Sequence, residues 1–252
     1  VAAGQGAGPI EVRHLTTLEE LREAVRLQKV IWGFEDIELL PLRLFVVAQK
    51  VGGQTIGAFD TGRMVGFLLA IPGLKHGKTM YLHSHMMGVL ESYRNLGVGR
   101  MLKLKQREEA LTRGIQLIEW TFDPLEIKNA FFNMERLGAV VRRFVLNQYG
   151  TTSSHLHGGL PTDRCVAEWY ISSERVHAIV DRRAPERGQV TERIAVPANI
   201  AEIRTNEPRL AREIQAGISA RFIEYFGRGL AVIGFEKTAE EGVYLLGPWD
   251  SE

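Results

Sequence analysis

Apolar residues recur along this chain in two rhythms, and the alternation between them gives an order of elements. Ile10 to Leu15 alternates as a short strand. Thr17-Leu18-Glu19-Glu20 then has the form of a capping box, with Thr17 as N-cap and Glu20 three residues on. Leu18, Leu21, Val25 and Trp32 follow at helical spacing, so a helix is predicted to about Trp32. A second helix is predicted over Leu39 to Val51, closed by Gly52-Gly53. Gln54 to Asp60 and Met64 to Ile71 read as strands joined by Thr61-Gly62-Arg63, and Pro72-Gly73 is expected to end the pair. Met80 to Leu90 is the next strand. The pattern switches to a helix over about Val98 to Arg113, stopped by Gly114, and back to a strand over Ile115 to Phe122.

Asp123-Pro124-Leu125-Glu126 carries helix-start signals, with Asp123 as N-cap and Pro124 at the first helical position. That helix is predicted to reach Leu137, with Gly138 just past its end. Val140 to Tyr149 and Cys165 to Ile171 read as strands on either side of a polar loop, Gly150 to Asp163. Beyond Ser172 the pattern gives a helix (Glu174 to Arg183), a charged break around Pro185, and a short strand (Arg193 to Val196). A long helix over Pro208 to Phe226 and strands at Leu230 to Phe235 and Val243 to Leu246 complete it. The resulting order, β-α-α-β-β-β-α-β-α-β-β and then a tail, predicts a mixed α/β fold with mostly antiparallel strands. A core of residues 8–172 and a C-terminal α/β extension of 173–252, packed on that core, are the expected domains.

Composition narrows this picture without redirecting it. The 252 residues are 45% hydrophobic and 24% charged, enough for one large core, and the formal net charge of +1 offers no global attraction to nucleic acid or an anionic membrane. Neither is expected as a partner. The single cysteine, Cys165, excludes an internal disulfide and suits a reducing compartment. No apolar run approaches the ~18 residues of a membrane helix, and Val1 to Pro9 reads as a loose tail, so a cytoplasmic location is expected.

Chemistry concentrates where the strand ending at Leu90 runs into Arg94-Asn95-Leu96-Gly97-Val98-Gly99-Arg100 and a helix. Glycines let the backbone approach a ligand, and the first N–H groups of the helix point at it with the positive end of the macrodipole. Pyrophosphate is the natural guest. A dinucleotide fingerprint does not fit, because Leu102 stands where its third glycine belongs and hairpin strands precede the turn. Other titratable groups mark the same region: His83 and His85 alternate on one strand face, and Glu119 is a lone carboxylate in an apolar strand. His83-x-His85 and His155-x-His157 lack the Cys or carboxylate companions of a metal centre, so no metal is expected. His157-Gly158-Gly159 has no Gly-x-Ser-x-Gly to make it a hydrolase loop.

Val89, Arg94, Gly97 and Gly99 at this spacing, in this order of elements, resemble the signature of the GNAT acyltransferase superfamily over about Ile10 to Ile171. Trp120 to Leu125, Asn129 to Asn133, Arg136 to Ala139, Asn147 to Gly150 and Gly159 to Arg164 further resemble a subgroup of predicted GNAT proteins with a C-terminal extension. The resemblance implies an acyl-coenzyme A dependent N-acyltransferase moving an acetyl or other short acyl group, such as succinyl, directly to a small-molecule amine or amino acid. It implies that backbone N–H groups of Asn95, Leu96, Gly97, Val98 and Gly99 hold the coenzyme A pyrophosphate. The backbone of Met87 to Val89 would pair with the pantetheine arm, and Arg94, Arg100 and Lys103 would lie near phosphates. An N–H near Val89 would receive the oxyanion. For the base, His83, His85 and Glu119 are candidates. Many members carry a proton-donating Tyr four residues before the glycine that ends the following helix; here Met134 stands there, leaving Tyr149, Asn129 and Asn133 as the polar groups. Tyr149 is the candidate acid, and the asparagines are candidates to bind coenzyme A. Met134 also motivates an alternative, a non-catalytic coenzyme A-binding module. A homodimer is compatible with either.

Overall fold

Local signals act first. In the computed structural model, which describes residues 9–150 and 160–249, Thr17 Oγ1 accepts from Glu20 N at 3.2 Å and Glu20 Oε2 accepts from Thr17 N at 3.3 Å. The capping box therefore forms, and helix α1 (Leu18–Trp32) runs from it to Gly33, whose φ of 69° closes it. The chain clusters into two units, Val1–Ile115 and Gln116–Glu252.

The first unit contains β1 (Glu11–His14), α1, α2 (Leu42–Lys50), β2 (Gln54–Asp60), β3 (Arg63–Lys75), β4 (Thr79–Val89) and α3 (Val98–Thr112). Its strands pair antiparallel in the order β1-β2-β3-β4. The second predicted helix starts three residues late, because Leu39 and Leu40 precede Pro41, whose ring disfavours helical backbone before it. Pro72-Gly73 does not end β3. Gln54, the first residue of β2, faces Ala70, so past that point β3 has β4 as its partner and no β2 residue opposite. Pro72 thus sits where β3 pairs along one side, and its missing N–H is tolerated. Gly73 lies under the Tyr81 ring, where an added Cβ would come within 2.5 Å.

The second unit contains β5 (Leu117–Phe122), α4 (Ile127–Phe131) continuing as a π turn (Phe132–Leu137), β6 (Val140–Val145), β7 (Arg164–Tyr170) and α5 (Glu174–Val180). It continues with β8 (Glu192–Pro197), α6 (Ile200–Asn206), α7 (Pro208–Gly227), β9 (Leu230–Lys237) and β10 (Glu241–Pro248). The strand order is β5-β7-β6-β9-β10-β8, with antiparallel pairing. Residues beyond Ser172 therefore add three strands to this sheet, joined at Val141 opposite Val232. Both units have the mixed, antiparallel α/β character that the sequence pattern predicts.

Two local expectations fail here, and one helix was not foreseen. Helix α6 has too short an apolar pattern to be read. Strand β6 stops at Val145, and residues 146–149 turn. Asp123 is not an N-cap: α4 starts at Ile127, Asp123 Oδ1 accepts from Leu125 N at 2.8 Å, and Oδ2 pairs with Arg204 Nη2 at 2.7 Å. A buried ion partner on α6 outcompetes the helix end for that carboxylate. Aromatic side chains fill the core of this unit: Phe222 of α7 stacks on Phe144 at 5.1 Å and meets Tyr244 edge-on at 5.0 Å. Trp169 Nε1 donates to Leu137 O at 2.6 Å, satisfying its one donor.

Candidate active site

In the first unit, β4 is closed by Leu90 N donating to Val65 O at 2.9 Å, and a 3-10 turn (Glu91–Tyr93) follows. Tyr93 Oη donates to Asp60 Oδ2 at 2.7 Å, anchoring that turn to the end of β2. Arg94 to Gly97 are exposed. Asn95 has φ 64° and Gly97 φ 82°, both left-handed, and Gly97 is the N-cap of α3 without a side-chain cap. The first N–H groups of α3 thus open beside an exposed turn with no side-chain oxygen in the way. An added Cβ at Gly97 would meet nothing within 4 Å, so glycine is needed there for its backbone angle, not for room. Gly97→Val should cost about 1–2 kcal/mol of stability, because left-handed backbone is strained for a residue with a Cβ. Denaturant unfolding reads this; a variant as stable as the parent would show that position 97 needs no left-handed residue.

Strand β4 carries a bulge. Leu69 faces Met86 but Ala70 faces Ser84, so His85 is the extra residue. The bulge exchanges the faces of the strand. Before it, Ser84 is buried against Lys103 of α3; beyond it, Gly88 lies against Trp32 and Ile31 of α1, where an added Cβ would come within 2.7 and 2.8 Å. His83 stands opposite Ile71 on the face away from Ser84, and the His83 and His85 rings lie 5.8 Å apart. The structure thus brings the two histidines together. His85 keeps solvent contact, and lost hydration on its protein-facing side pushes its imidazole pKa below the ordinary 6.5. Lys103 departs from expectation. Its side chain is buried rather than exposed beside the Arg94 to Gly97 turn, and Nζ donates to Ser84 Oγ at 2.8 Å and Gln106 Oε1 at 3.0 Å.

In the second unit, β5 presents two unlike faces. Glu119 and Thr121 lie on one, Trp120 on the other. Glu119 is buried, with Oε1 accepting from Arg143 Nη2 at 2.6 Å. Directly opposite it stands a second buried carboxylate, Glu168, a repulsive cross-strand pair. A bulge in β6 at Arg142 resolves the repulsion by turning two successive arginines toward the same carboxylates. Arg142 Nε donates to Glu168 Oε2 at 2.9 Å and Arg143 Nε to Glu168 Oε1 at 3.0 Å. Burial alone would raise the Glu168 pKa; Arg142, Tyr170 and Arg143 outweigh it and hold it low. Burial and the Glu168 charge push Tyr170 to about 12. Sequence reading missed these arginines. The broken alternation Val140-Val141-Arg142-Arg143 was the available sign of a bulge.

On the other face, Trp120 Nε1 donates to Asn133 Oδ1 at 3.3 Å. An indole N–H is only a donor, so this contact fixes the amide with its oxygen toward Trp120. Asn133 Nδ2 is then buried without a hydrogen-bond partner among the described residues, a donor open to a ligand or water. The π turn that holds Asn133 also buries Met134 completely. Asn129 is exposed on α4. Tyr149 is exposed on the turn after β6; its Oη shares a hydrogen bond of 3.1 Å with Thr121 Oγ1, and the Arg164 guanidinium lies 5.6 Å from its ring centre. His155 and His157 lie outside the described residues. Among the described residues no three His, Cys, Asp or Glu side chains gather as a metal site, and no helix is long and apolar enough to cross a membrane. Cys165 is buried, its thiol pKa raised by burial.

Residues 18–138 match the acetyltransferase (GNAT) family. No curated protein matches the chain. Among solved structures, the chain is similar to the ribosomal-protein-S18-alanine N-acetyltransferase of Escherichia coli at 19% identity and a TM-score of 0.51, over 65% of this chain and 95% of that one. It is also similar to Arabidopsis thaliana NAA60 in complex with a bisubstrate analogue (14%, 0.52, over 64% and 97%). An N-acetyltransferase of Staphylococcus aureus Mu50 is a third such structure (14%, 0.52, over 66% and 100%). At these identities the likeness is one of fold.

Proposed function

We propose, from the membership of residues 18–138 in the acetyltransferase (GNAT) family, that this protein is an acyl-coenzyme A dependent N-acyltransferase. Its acceptor is the amine of a small molecule or amino acid, and its donor carries an acetyl or other short acyl group. The observation that carries the reading is the exposed left-handed turn at Asn95 and Gly97 opening directly into α3. Backbone N–H groups of Asn95 to Gly99 hold the pyrophosphate, Arg94 and Arg100 stand near it, and the backbone of Met87 to Val89 takes the pantetheine. Asn133 Nδ2 offers a donor to coenzyme A or its ordered water, and Asn129 a second.

In the reaction the amine nitrogen attacks the thioester carbonyl carbon; a C–N bond forms and the C–S bond breaks. An N–H near Val89 receives the oxyanion. A base takes the amine proton. His85 suits this role because its depressed pKa keeps the ring neutral at neutral pH. Glu119 is engaged by Arg143, whose Nη2 lies 2.6 Å from its Oε1. The departing thiolate takes a proton from Tyr149 or from water. A thiol pKa of ~8.5 makes unassisted departure feasible, in keeping with Met134.

The test is thiol release from acetyl- and succinyl-coenzyme A against amines, amino acids and an N-terminal peptide, with coenzyme A binding measured alongside. Peptide preferred over every small amine would reassign the acceptor, an outcome to which the E. coli and Arabidopsis likenesses give point. Tight coenzyme A binding without a single turnover would favour the second reading, a non-catalytic module, which the buried Met134 motivates. Neither binding nor release would end both readings.

A further inference from the structure

The first unit buries a lysine whose chemistry the acyl transfer does not use. Lys103 is 2% exposed on the inner face of α3. An apolar side chain would fill that space without the cost of taking an ammonium or amine out of water. Its head reaches Gln106 Oε1, one helical turn along on α3, and Ser84 Oγ on β4. Ser84 is itself buried, and it is the last residue before the extra residue His85. The lysine is thus bonded to the strand at the point where its faces exchange.

That exchange decides where the candidate chemistry lies. Counting along β4 without the bulge, His83, His85, Met87 and Val89 would all share one face. With it, His83 and His85 stay together while the strand reverses, so that Gly88 meets α1 and Val89, beside Gly66, turns to α3 and Leu102. A bulge disrupts the ladder at its own position and so lacks the hydrogen bonds that fix a regular strand. Something else must hold it.

We propose that Lys103 is a positioning residue for acyl transfer, holding the β4 bulge through Ser84 and thereby the placement of His85 relative to the backbone of Met87 to Val89. The inference rests on the acyltransferase reading for its effect on turnover, but not for its effect on structure. The test uses Lys103→Met, Ser84→Ala and the double variant in the full chain. Ser84→Ala is the smaller change and serves if Lys103→Met does not fold. In each single variant kcat should fall about tenfold to a hundredfold, as misplacement of reacting groups by about 1 Å does, while coenzyme A affinity holds. The double variant should be no slower than Lys103→Met alone, because both changes cut the same link. Assays are run well below the lowest unfolding midpoint, so a lysine that only stabilises the fold would leave kcat unmoved. Independently, the ring resonances of His85 in histidine-labelled protein should shift in both single variants. Unchanged kcat together with unchanged His85 resonances in Ser84→Ala and Lys103→Met would overturn the proposal. If the parent protein shows no turnover at all, the acyltransferase reading fails, and the resonances alone decide whether Lys103 holds the bulge.

Discussion

His85→Gln is expected to lower kcat/KM by about a hundredfold to a thousandfold, the usual worth of a positioned general base. The more telling result is the pH profile. In the folded protein the His85 pKa lies below 6.5, because burial penalises the charged ring. The base is the neutral form, so activity should rise with pH below about 6.5 and flatten before neutrality. His85→Gln should erase that acid limb along with most of the rate. His83→Gln, which leaves the neighbouring ring in place, should keep the limb. Retention of both the rate and the limb in His85→Gln would transfer the role to Glu119 or to water. The sign also bears on stability. A histidine with a lowered folded pKa favours the native state above its unfolded pKa of about 6.5, and this contribution is lost as pH falls from there through the lower folded pKa.

Arg204→Met should cost about 3–5 kcal/mol of stability, the range for removing one partner of a buried ion pair. Arg204 is buried on α6, with Nη2 at 2.7 Å from Asp123 Oδ2 and Nη1 at 2.9 Å from Glu126 Oε1. Its loss takes the Nη2 contact away from the buried Asp123 carboxylate, while the Leu125 N–H still donates to it. Neighbouring Pro124 is held by Tyr244 of β10, whose Oη donates to its carbonyl at 2.7 Å. The turn between β5 and α4 is therefore clamped twice by residues that follow Ser172. Denaturant unfolding of Arg204→Met and of Asp123→Asn/Arg204→Met separates the charge from the packing. The double variant should recover part of the loss, since a neutral amide costs less to bury than a carboxylate deprived of Arg204. A single variant within about 1 kcal/mol of the parent would show that Asp123 is well served without Arg204 and that the clamp is weak.

The two variants also mark where sequence reading stops. Asp123-Pro124 has every local sign of a helix start, and a contact with Arg204, eighty-one positions away along the chain, cancels it. Helix periodicity and caps involve residues within a few positions of one another, so Thr17, Gly97 and Gly138 could be placed from spacing alone, and each stands where its pattern put it. Lys103 shows the opposite case. On a helical wheel it belongs equally well to a solvated face, and only its burial against Ser84 separates structural from phosphate-binding basic residues. Glu119 was recognisable as a costly buried charge, while its partner was not, because a bulge at Arg142 had to bring Arg143 onto the same face.

By itself, then, the sequence determined what local interactions determine: the order of elements as far as β7, their antiparallel α/β class, and a glycine turn before α3. Those features carry the acyl-coenzyme A reading. The tertiary structure decided which polar groups are spent on one another and which stay open. Arg143 neutralises Glu119, Trp120 orients Asn133 so that its Nδ2 stays open, and the bulge of β4 keeps His85 beside His83 while the strand turns over. Each of these depends on contacts between residues distant in the chain, or on one extra residue in a strand, and the cost of burying an unpaired polar group is what selects them.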